Sequence, residues 1–364
     1  MSNIIAARRS PVVPRGGALT ALEPHEIAAP VIRQLLTDAG LAPEQVGEVI
    51  VSNALGAGGN IARSVTLAAG LPAKVPGLSL DRQCVGGLDA LLLAKAMIQS
   101  GHHDVVIAGG VESYSRRPLR QRTFADGRPP ETYDQARFTP WVDRDPDMAA
   151  AADALAELLG ITRSAQDDWA MQSHAKALAA TKLPEIVPIE GLAKDPFARN
   201  LSPALCRRAA SVSGNTTAAN MSVAADAAGF VMMVSDKLTQ SLQRPTLKVT
   251  HGGTAGGDPT LPGLAPVEIG TQILLRGGLR PSQLNSAEIM EAFAVQAIAC
   301  QQGMDIPEDL VNLQGGSLAR GHPIGASGAV LAVRLFHQLA TTGGHGFAAI
   351  AAAGGLGTAV LFSA

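Results

Sequence analysis

The sequence has few of the features that mark several large classes of protein. Its three cysteines are widely spaced and odd in number, which argues against a disulfide framework, and they lack the spacing of zinc ligands. No uninterrupted apolar run approaches the roughly 18 residues of a membrane span. The net charge of −2 and the lack of a basic stripe give no reason to expect a nucleic-acid partner.

The first residues also lack a signal for export. Residues 1–9 do not place a basic segment ahead of an apolar one, so the sequence predicts no secretory signal. With so few cysteines, the expected location is the reducing cytoplasm, and no metal, nucleic acid or membrane is expected as a partner.

Apolar residues and glycine are abundant instead. Of the 364 residues, 46% are hydrophobic, 16% are charged and 39 are glycine, so the chain can bury a large core and can form two or three domains. Residues 46–52 and 104–110 are predicted strands, and residues 26–39 have the apolar spacing of a helix that ends at Gly40. This alternation of strands and helices predicts an α/β fold.

The most informative segment, residues 79–89, reads SLDRQCVGGLD. A predicted strand precedes Cys84 and an Ala/Leu-rich helix follows it over residues 88–98. A helix start favours an anion and tends to lower the pKa of a thiol. Two interpretations remain open for this segment alone, a nucleophilic cysteine or a buried cysteine that only fills space.

The last third of the sequence repeats the plan of the first. Each has a Gly-rich turn, a helix, a glycine, an apolar strand and a Gly-Gly pair, which suggests a duplicated α/β unit. In the second copy the turn carries His322, so Cys84 and His322 would begin equivalent helices and face each other. His322 could accept the thiol proton, stabilise the thiolate or donate to a thioester oxygen. The N–H groups around Gly354 and Gly355 could face an oxyanion.

An arginine-rich stretch, residues 115–147, interrupts the first copy. Its prolines and seven arginines predict a loop-rich insertion that is a solvated surface, a subunit contact or a region near a phosphate-bearing ligand. Two helices are predicted after it, over residues 147–159 and over 164–181, the second capped by Thr162.

Four motifs, in order along nearly the whole chain, resemble those of the thiolases, the CoA-dependent acyltransferases. They are Cys84-x-x-Gly-Leu, Glu291-Ala-Phe, Gly321-His-Pro-Ile-Gly-Ala-Ser-Gly and Gly354-Gly-Leu-Gly. The resemblance implies an α/β thiolase fold, in which two similar βαβαβαββ halves form a five-layer αβαβα arrangement. It implies an N-terminal domain over residues 1–240, with an inserted loop domain at about 117–210, and a C-terminal domain over 241–364. It also implies acyl-CoA as substrate, no permanently bound cofactor, and a homodimer or a dimer of dimers.

The resemblance also implies roles for single residues. Cys84 would accept the acyl group, and His322 would activate it and help to form an oxyanion hole. The N–H of Cys84 and the backbone of the C-terminal glycine turn would form a second oxyanion hole. The residues implied to contact the acyl group or CoA are Met148 in the acyl pocket, Ser222, Ala292 and Phe293 along pantetheine, and Arg199 near the phosphates.

Three positions depart from the thiolase motifs. Thiolases usually have an asparagine before Glu-Ala-Phe, which orients a water in the first oxyanion hole, and this chain has Met290, which cannot donate a hydrogen bond. The second cysteine of thiolases, which removes the α-proton of the second acyl-CoA, is replaced by Ala351. The His-Met-Gly segment of the insertion is Asp147-Met-Ala here.

Three functional hypotheses follow. The first is an acyltransferase that forms an acyl thioester on Cys84 and has an altered second step, either acyl transfer or decarboxylative condensation. The second is a conventional β-ketothiolase with a replacement acid/base. The third is a non-catalytic acyl-CoA-binding subunit of a larger complex.

Overall fold

The structure is a computed structural model that describes residues 2–56, 58–242 and 246–364. Its strands are β1 (Ser2–Arg9), β2 (Val13–Pro14), β3 (Glu48–Ser52), β4 (Gly77–Leu80), β5 (Val105–Glu112), β6 (Arg120–Arg122), β7 (Glu131–Tyr133), β8 (Ser211–Ser213), β9 (Thr216–Thr217), β10 (Ala225–Ser235), β11 (Leu247–Gly256), β12 (Ser286–Ile289), β13 (His345–Ala352) and β14 (Leu356–Ser363). Its α-helices are α1 (Pro24–Ala39), α2 (Ile61–Ala68), α3 (Gly86–Gln99), α4 (Met148–Leu159), α5 (Arg163–Ala179), α6 (Pro203–Arg208), α7 (Asp236–Leu242), α8 (Ala265–Arg276), α9 (Ala294–Gly303), α10 (Ser317–Arg320) and α11 (Ile324–Thr342).

The main sheet contains two halves of the same plan. Its strand order is β12-β13-β14-β11-β1-β10-β5-β3-β4. In the first half β3 is parallel to β5, and β5, β10 and β1 are successively antiparallel. In the second half β12 is parallel to β13, and β13, β14 and β11 are successively antiparallel. The halves meet where β1 pairs with β11, which confirms the predicted α/β fold and its duplicated unit.

Helices and sheet form five layers because both faces of each half are apolar. Along β10, Phe230 and Met232 face the core beneath α1 and α2, whereas Val231 and Met233 face the core around α3 and α11. This alternation is the two-residue period of a strand. Helices α8 and α9 cover the outer face of the second half. The central layer therefore consists of α3 and α11, the two helices that follow Cys84 and His322.

Glycines allow α3 and α11 to cross at contact distance. A Cβ on Gly328 would lie 2.5 Å from the backbone nitrogen of Leu88, and one on Gly87 would clash with the backbone nitrogen of Ala329. The two helices therefore begin side by side, which brings the preceding turns together.

The insertion between β5 and β10 folds over the second half. Its helix α4 begins where the Asp147 side chain accepts hydrogen bonds from Ala149 N and Ala150 N, and α5 begins where Thr162 accepts from Ala165 N, as predicted. Both helices pack against α9 in one apolar core. The insertion thus covers the side of the molecule on which the two turns open.

The glycines of β11 do not form a turn. Residues 252–256 continue the strand and pair with β14, although a Gly-rich loop is the simplest reading of their sequence. A Cβ on Gly252 would lie 2.5 Å from Leu92 Cδ2, so glycine serves the close packing of α3 on the sheet.

Among the helices of the described ranges, none combines the length and the apolar character needed to span a membrane.

A buried ion network ties α11 to both halves. Arg334 Nε donates to Glu288 Oε2 at 3.0 Å, and Arg334 Nη1 lies 3.5 Å from Glu185 Oε1. Arg9 contacts Glu185 at 3.1 Å and Asp195 at 2.8 Å. These side chains are at most 6% exposed. Each buried charge is stable only while its partners remain.

We predict that Arg334→Met lowers the free energy of unfolding by about 3–5 kcal/mol, because it leaves buried carboxylates without their cation. Urea denaturation measures the change. The matched control is Arg276→Met, at an exposed arginine that contacts Gln272 at 3.4 Å, where a change within about 0.5 kcal/mol is expected. Equal effects of the two substitutions would contradict the stabilising role of the network.

Candidate active site

Cys84 lies in a sharp turn between β4 and α3. Residues Gln83–Val85 form one 3₁₀ turn, and Gln83 has φ +53°, a left-handed conformation that non-glycine residues rarely adopt. The Asp81 side chain stabilises this turn by accepting a hydrogen bond from Gln83 N at 3.0 Å. The turn places Cys84 on the wall of a cavity.

His322 occupies the corresponding position in the second half, between α10 and α11. Its backbone N–H donates to Val223 O at 2.7 Å, and Gly321 before it has φ +112°. A Cβ on Gly321 would lie 2.7 Å from the Cβ of Ala225, so only glycine fits this bend. The histidine is therefore held by backbone contacts with the first half.

The two side chains meet across the halves. His322 Nε2 lies 3.2 Å from Cys84 Sγ, and His322 Nδ1 lies 2.7 Å from Ser327 Oγ. The Ser327 hydroxyl donates its one proton to Pro323 O at 2.9 Å, so it accepts from Nδ1–H. We therefore assign the tautomer in which Nε2 is unprotonated and faces the thiol, as a general base requires.

Burial dominates the ionisation of both groups. Burial raises the pKa of Cys84 to about 12; the N–H groups of Cys84 and Ala353 oppose this rise, and the charges of Glu112 and Asp81 add to it. Burial lowers the pKa of His322 to about 4. The expectation of a lowered thiol pKa at the helix start is therefore wrong, because desolvation outweighs the N–H groups that favour the thiolate. The resting pair is a neutral thiol and a neutral imidazole.

The pair opens into a cavity of about 490 Å³. Apolar side chains from the insertion and the second half line one part of it, including Phe138, Met148, Leu155, Phe293, Ala351 and Ala352. Polar side chains line the rest, including Asp81, Tyr114, Arg120, Tyr133, Asp134 and Ser222. The cavity can hold a small acyl chain next to a thioester.

Most of the predicted site residues lie on the cavity wall. These are Cys84, His322, Met148, Ser222, Ala292, Phe293 and Ala351. The structure does not bring Arg199 to the cavity. Its guanidinium instead stacks on Phe197, 4.5 Å from the ring centre. An arginine in an irregular loop has too little local signal to be placed from sequence.

The side chains of Met290 and Ala351, at the two altered catalytic positions, place no polar group beside the Cys84 thiol. Met290 is 1% exposed, and its Sδ accepts a weak hydrogen bond from Ser317 Oγ at 3.4 Å. Gly354 and Gly355 have φ of +75° and +78° and form the turn between β13 and β14. In that segment it is the N–H of Ala353 that favours the Cys84 thiolate, since it opposes the rise in the pKa of that thiol.

Two side chains next to the pair were not singled out from the sequence. Ser327 lies in the Gly-rich motif five residues after His322, and its hydroxyl, one of the few polar side chains of that motif, could have identified it. Glu112 ends the apolar strand β5, where a buried charge is unusual enough to mark a special position. Within the described ranges, no group of three or more His, Cys, Asp or Glu side chains could hold a metal ion.

The chain is similar to known proteins along its whole length. Family models match it as "Thiolase, N-terminal domain" over residues 2–237 and "Thiolase, C-terminal domain" over residues 243–364. The putative acetyl-CoA C-acetyltransferase YhfS of Bacillus subtilis is 38% identical over 372 residues, which cover 99% of this chain and 98% of that protein. The putative acetyl-CoA C-acetyltransferase VraB of Staphylococcus aureus is 35% identical over 382 residues, again 99% and 98%.

Two solved structures share the fold. The acetyl-CoA acetyltransferase of Bacillus anthracis superposes with a TM-score of 0.92 at 30% identity, covering 100% of this chain and 98% of that chain. The Acat5 thiolase of Ascaris suum, in complex with coenzyme A, superposes with a TM-score of 0.92 at 28% identity, covering 100% and 99%.

We predict that Cys84 alkylation by iodoacetamide is slow at neutral pH and rises about tenfold per pH unit between about pH 7 and pH 10, because the thiol pKa is about 12. Peptide mass spectrometry separates Cys84 from Cys206 and Cys300, and Cys84→Ala is the control. A plateau in the Cys84 rate near or below pH 8 would contradict the neutral resting pair.

Proposed function

Because the chain belongs to the thiolase family and is an acyltransferase, we propose that it accepts an acyl group from acyl-CoA as a thioester on Cys84. The second step in this proposal is acyl transfer to another acceptor or decarboxylative condensation. The observation that carries the proposal is the 3.2 Å approach of His322 Nε2, which we assign as unprotonated, to Cys84 Sγ at a cavity wall.

The first step needs only this pair and two backbone donors. Cys84 Sγ bonds to the carbonyl carbon of acyl-CoA while its proton passes to His322 Nε2. The carbonyl π electrons move to oxygen, and the N–H groups of Cys84 and Ala353, which favour negative charge at the thiol, would stabilise that oxyanion. When the carbonyl re-forms, the bond to the CoA sulfur breaks and that sulfur takes the proton from His322. The products are acyl-Cys84 and free CoA.

The reaction of acyl-Cys84 with a second substrate is constrained by Ala351 and the apolar residues beside it on the cavity wall. A methyl group at Ala351 cannot remove an α-proton, and buried Met290 cannot hold a water by donating to it. A carbanion made by loss of CO₂ from a malonyl-type thioester needs no such base. It would attack the acyl carbonyl and displace the Cys84 thiolate, which recovers a proton from solvent, directly or through His322.

The binding of CoA is supported by position and by analogy. A structural neighbour is described as a complex with coenzyme A. In this chain Ser222 and Ala292 line the cavity and are joined by a 2.9 Å hydrogen bond from Ser222 N to Ala292 O. We propose that these residues and Phe293 contact the pantetheine arm and that Met148 contacts the acyl chain. No bound cofactor is required by these steps.

A homodimer is part of the proposal. Strand β4 is the last strand of the main sheet, and Leu78 on it is 37% exposed. An exposed edge of this kind can pair with a second copy of the chain.

The conventional β-ketothiolase reaction is the second candidate. The names of the relatives favour it. It requires a base for the α-proton, and two carboxylates line the cavity, Asp81 and Asp134. Asp81 belongs to the turn of Cys84, and its charge contributes to the raised pKa of that thiol, so it is the better placed of the two. A non-catalytic subunit is disfavoured because such a protein has no use for a paired thiol and imidazole.

We predict that incubation with acetyl-CoA or a longer acyl-CoA adds one acyl mass to the protein, and that Cys84→Ala abolishes the adduct. His322→Gln should slow its formation by about 10²–10⁴, the usual contribution of general base catalysis. Intact mass spectrometry over time gives both results. The absence of an adduct at every chain length from acetyl to palmitoyl would overturn the proposal.

We further predict that CoA-dependent cleavage of acetoacetyl-CoA proceeds no faster than with Cys84→Ala, because the site lacks a second thiol. The measurement is the loss of acetoacetyl-CoA and of free CoA together with the formation of two acetyl-CoA per cleavage. A clear rate that Asp81→Asn abolishes, with Cys84 acylation intact and Asp134→Asn active, would instead establish the conventional reaction.

A further inference from the structure

We propose that Glu112 is a positioning residue for the Cys84–His322 pair. Its buried carboxylate fixes the start of α11, and with it His322, against the turn that follows β3. This inference rests on the proposed function, since it concerns the geometry that acylation requires. Glu112 does not touch the thiol or the imidazole in the described contacts.

The carboxylate accepts four hydrogen bonds from two separate parts of the chain. Oε1 accepts from Asn53 Nδ2 at 2.9 Å and from Leu55 N at 3.2 Å. Oε2 accepts from Ala54 N at 3.1 Å and from Gly325 N at 3.0 Å. One carboxylate therefore connects β5, the turn after β3 and the first residues of α11.

Among the described residues, no cation balances the charge of Glu112. Glu112 is fully buried, and within residues 2–56, 58–242 and 246–364 no lysine or arginine forms an ion pair with it. Burial raises its pKa to about 7, a rise that the N–H groups of Gly325, Ala54 and Leu55 oppose. A buried charge that depends only on three backbone N–H groups and one side-chain amide is costly, so its presence at this place requires a use.

The four hydrogen bonds of Glu112, which we call the clamp, lie where the backbones of α11, β5 and the turn after β3 approach each other closely. A Cβ on Gly325 would lie 2.8 Å from Asn53 Cα, and one on Gly110 would clash with the carbonyl of Gly325. The Gly325 N–H is also one of the unpaired donors at a helix start. Satisfying it with Oε2 fixes how far α11 lies from the sheet, three residues beyond His322.

The consequence concerns both the pair and the cavity wall. Ala54, Leu55 and Ile324 line the cavity, so the same carboxylate orders its wall and the histidine. A displacement of about 1 Å at reacting groups can cost about 10² in rate. Loss of the clamp should therefore slow acylation without removing either reacting group.

Because Glu112 is charged, the direction of the change in acylation rate distinguishes an electrostatic role from a positioning role. It contributes to the raised pKa of Cys84, so removing it makes the thiol easier to ionise. Electrostatics alone would then make Glu112→Gln faster. Slower acylation is the expected result of lost positioning.

We predict that Glu112→Gln lowers the single-turnover rate of Cys84 acylation by about 10–10², because its amide nitrogen cannot accept from a backbone N–H. The KM for acyl-CoA should change by a smaller factor than the rate, because neither reacting group nor Ser222 and Phe293 bonds to Glu112. Asp153→Asn is the matched control, since the Asp153 carboxylate also accepts from a backbone N–H, that of Asn215 at 2.7 Å, and does not line the cavity. It should leave the acylation rate unchanged.

A crystal structure of the Glu112→Gln variant tests this inference independently of the proposed function. The distance from His322 Nε2 to Cys84 Sγ should lengthen by about 0.5 Å or more, whether or not acyl-CoA is a substrate. An unchanged distance, or an acylation rate equal to or above that of the parent, would overturn the inference.

If glutamine at position 112 prevents folding, Asn53→Ala removes one of the four bonds and keeps the charge, and a loss of a few fold in the acylation rate is then expected. An unchanged rate in that variant would contradict the clamp.

Discussion

The contact between the imidazole of His322 and the thiol of Cys84 is the interaction on which the rest of the site depends. Each group belongs to a different half of the sheet, so neither half can form the site alone. The contact exists because α3 and α11 cross without side chains at Gly87 and Gly328. Duplication of the α/β unit therefore supplies two equivalent helix starts, and their different residues supply a nucleophile and a base.

Burial then determines how this pair behaves. The same desolvation that raises the pKa of Cys84 and lowers that of His322 keeps both neutral until a thioester enters. Proton transfer is thus coupled to bond formation at the substrate, and the N–H groups of Cys84 and Ala353 meet the charge where it develops. Buried charges elsewhere, in the network around Arg334 and at Glu112, hold the elements that carry the pair.

The fold was largely predictable because its signals are local. Apolar strands, the cap at Thr162 and the stop at Gly40 all appear in the structure. Strand β14 and helix α9 were not predicted, since their sequences have neither a clear period nor a strong cap. The pair itself was predictable from motifs and the duplication. Its ionisation was not, because desolvation depends on residues that only tertiary packing brings together.

The central claim is that the Cys84 thiol takes an acyl group inside this cavity. The most direct measurement is a crystal structure of the protein after reaction with acyl-CoA. We expect continuous acyl density on Cys84 Sγ, with the carbonyl oxygen within hydrogen-bond distance of Cys84 N and Ala353 N and with His322 Nε2 still beside the sulfur. An unmodified Cys84, or an acyl group on Cys206 or Cys300 instead, would contradict the account.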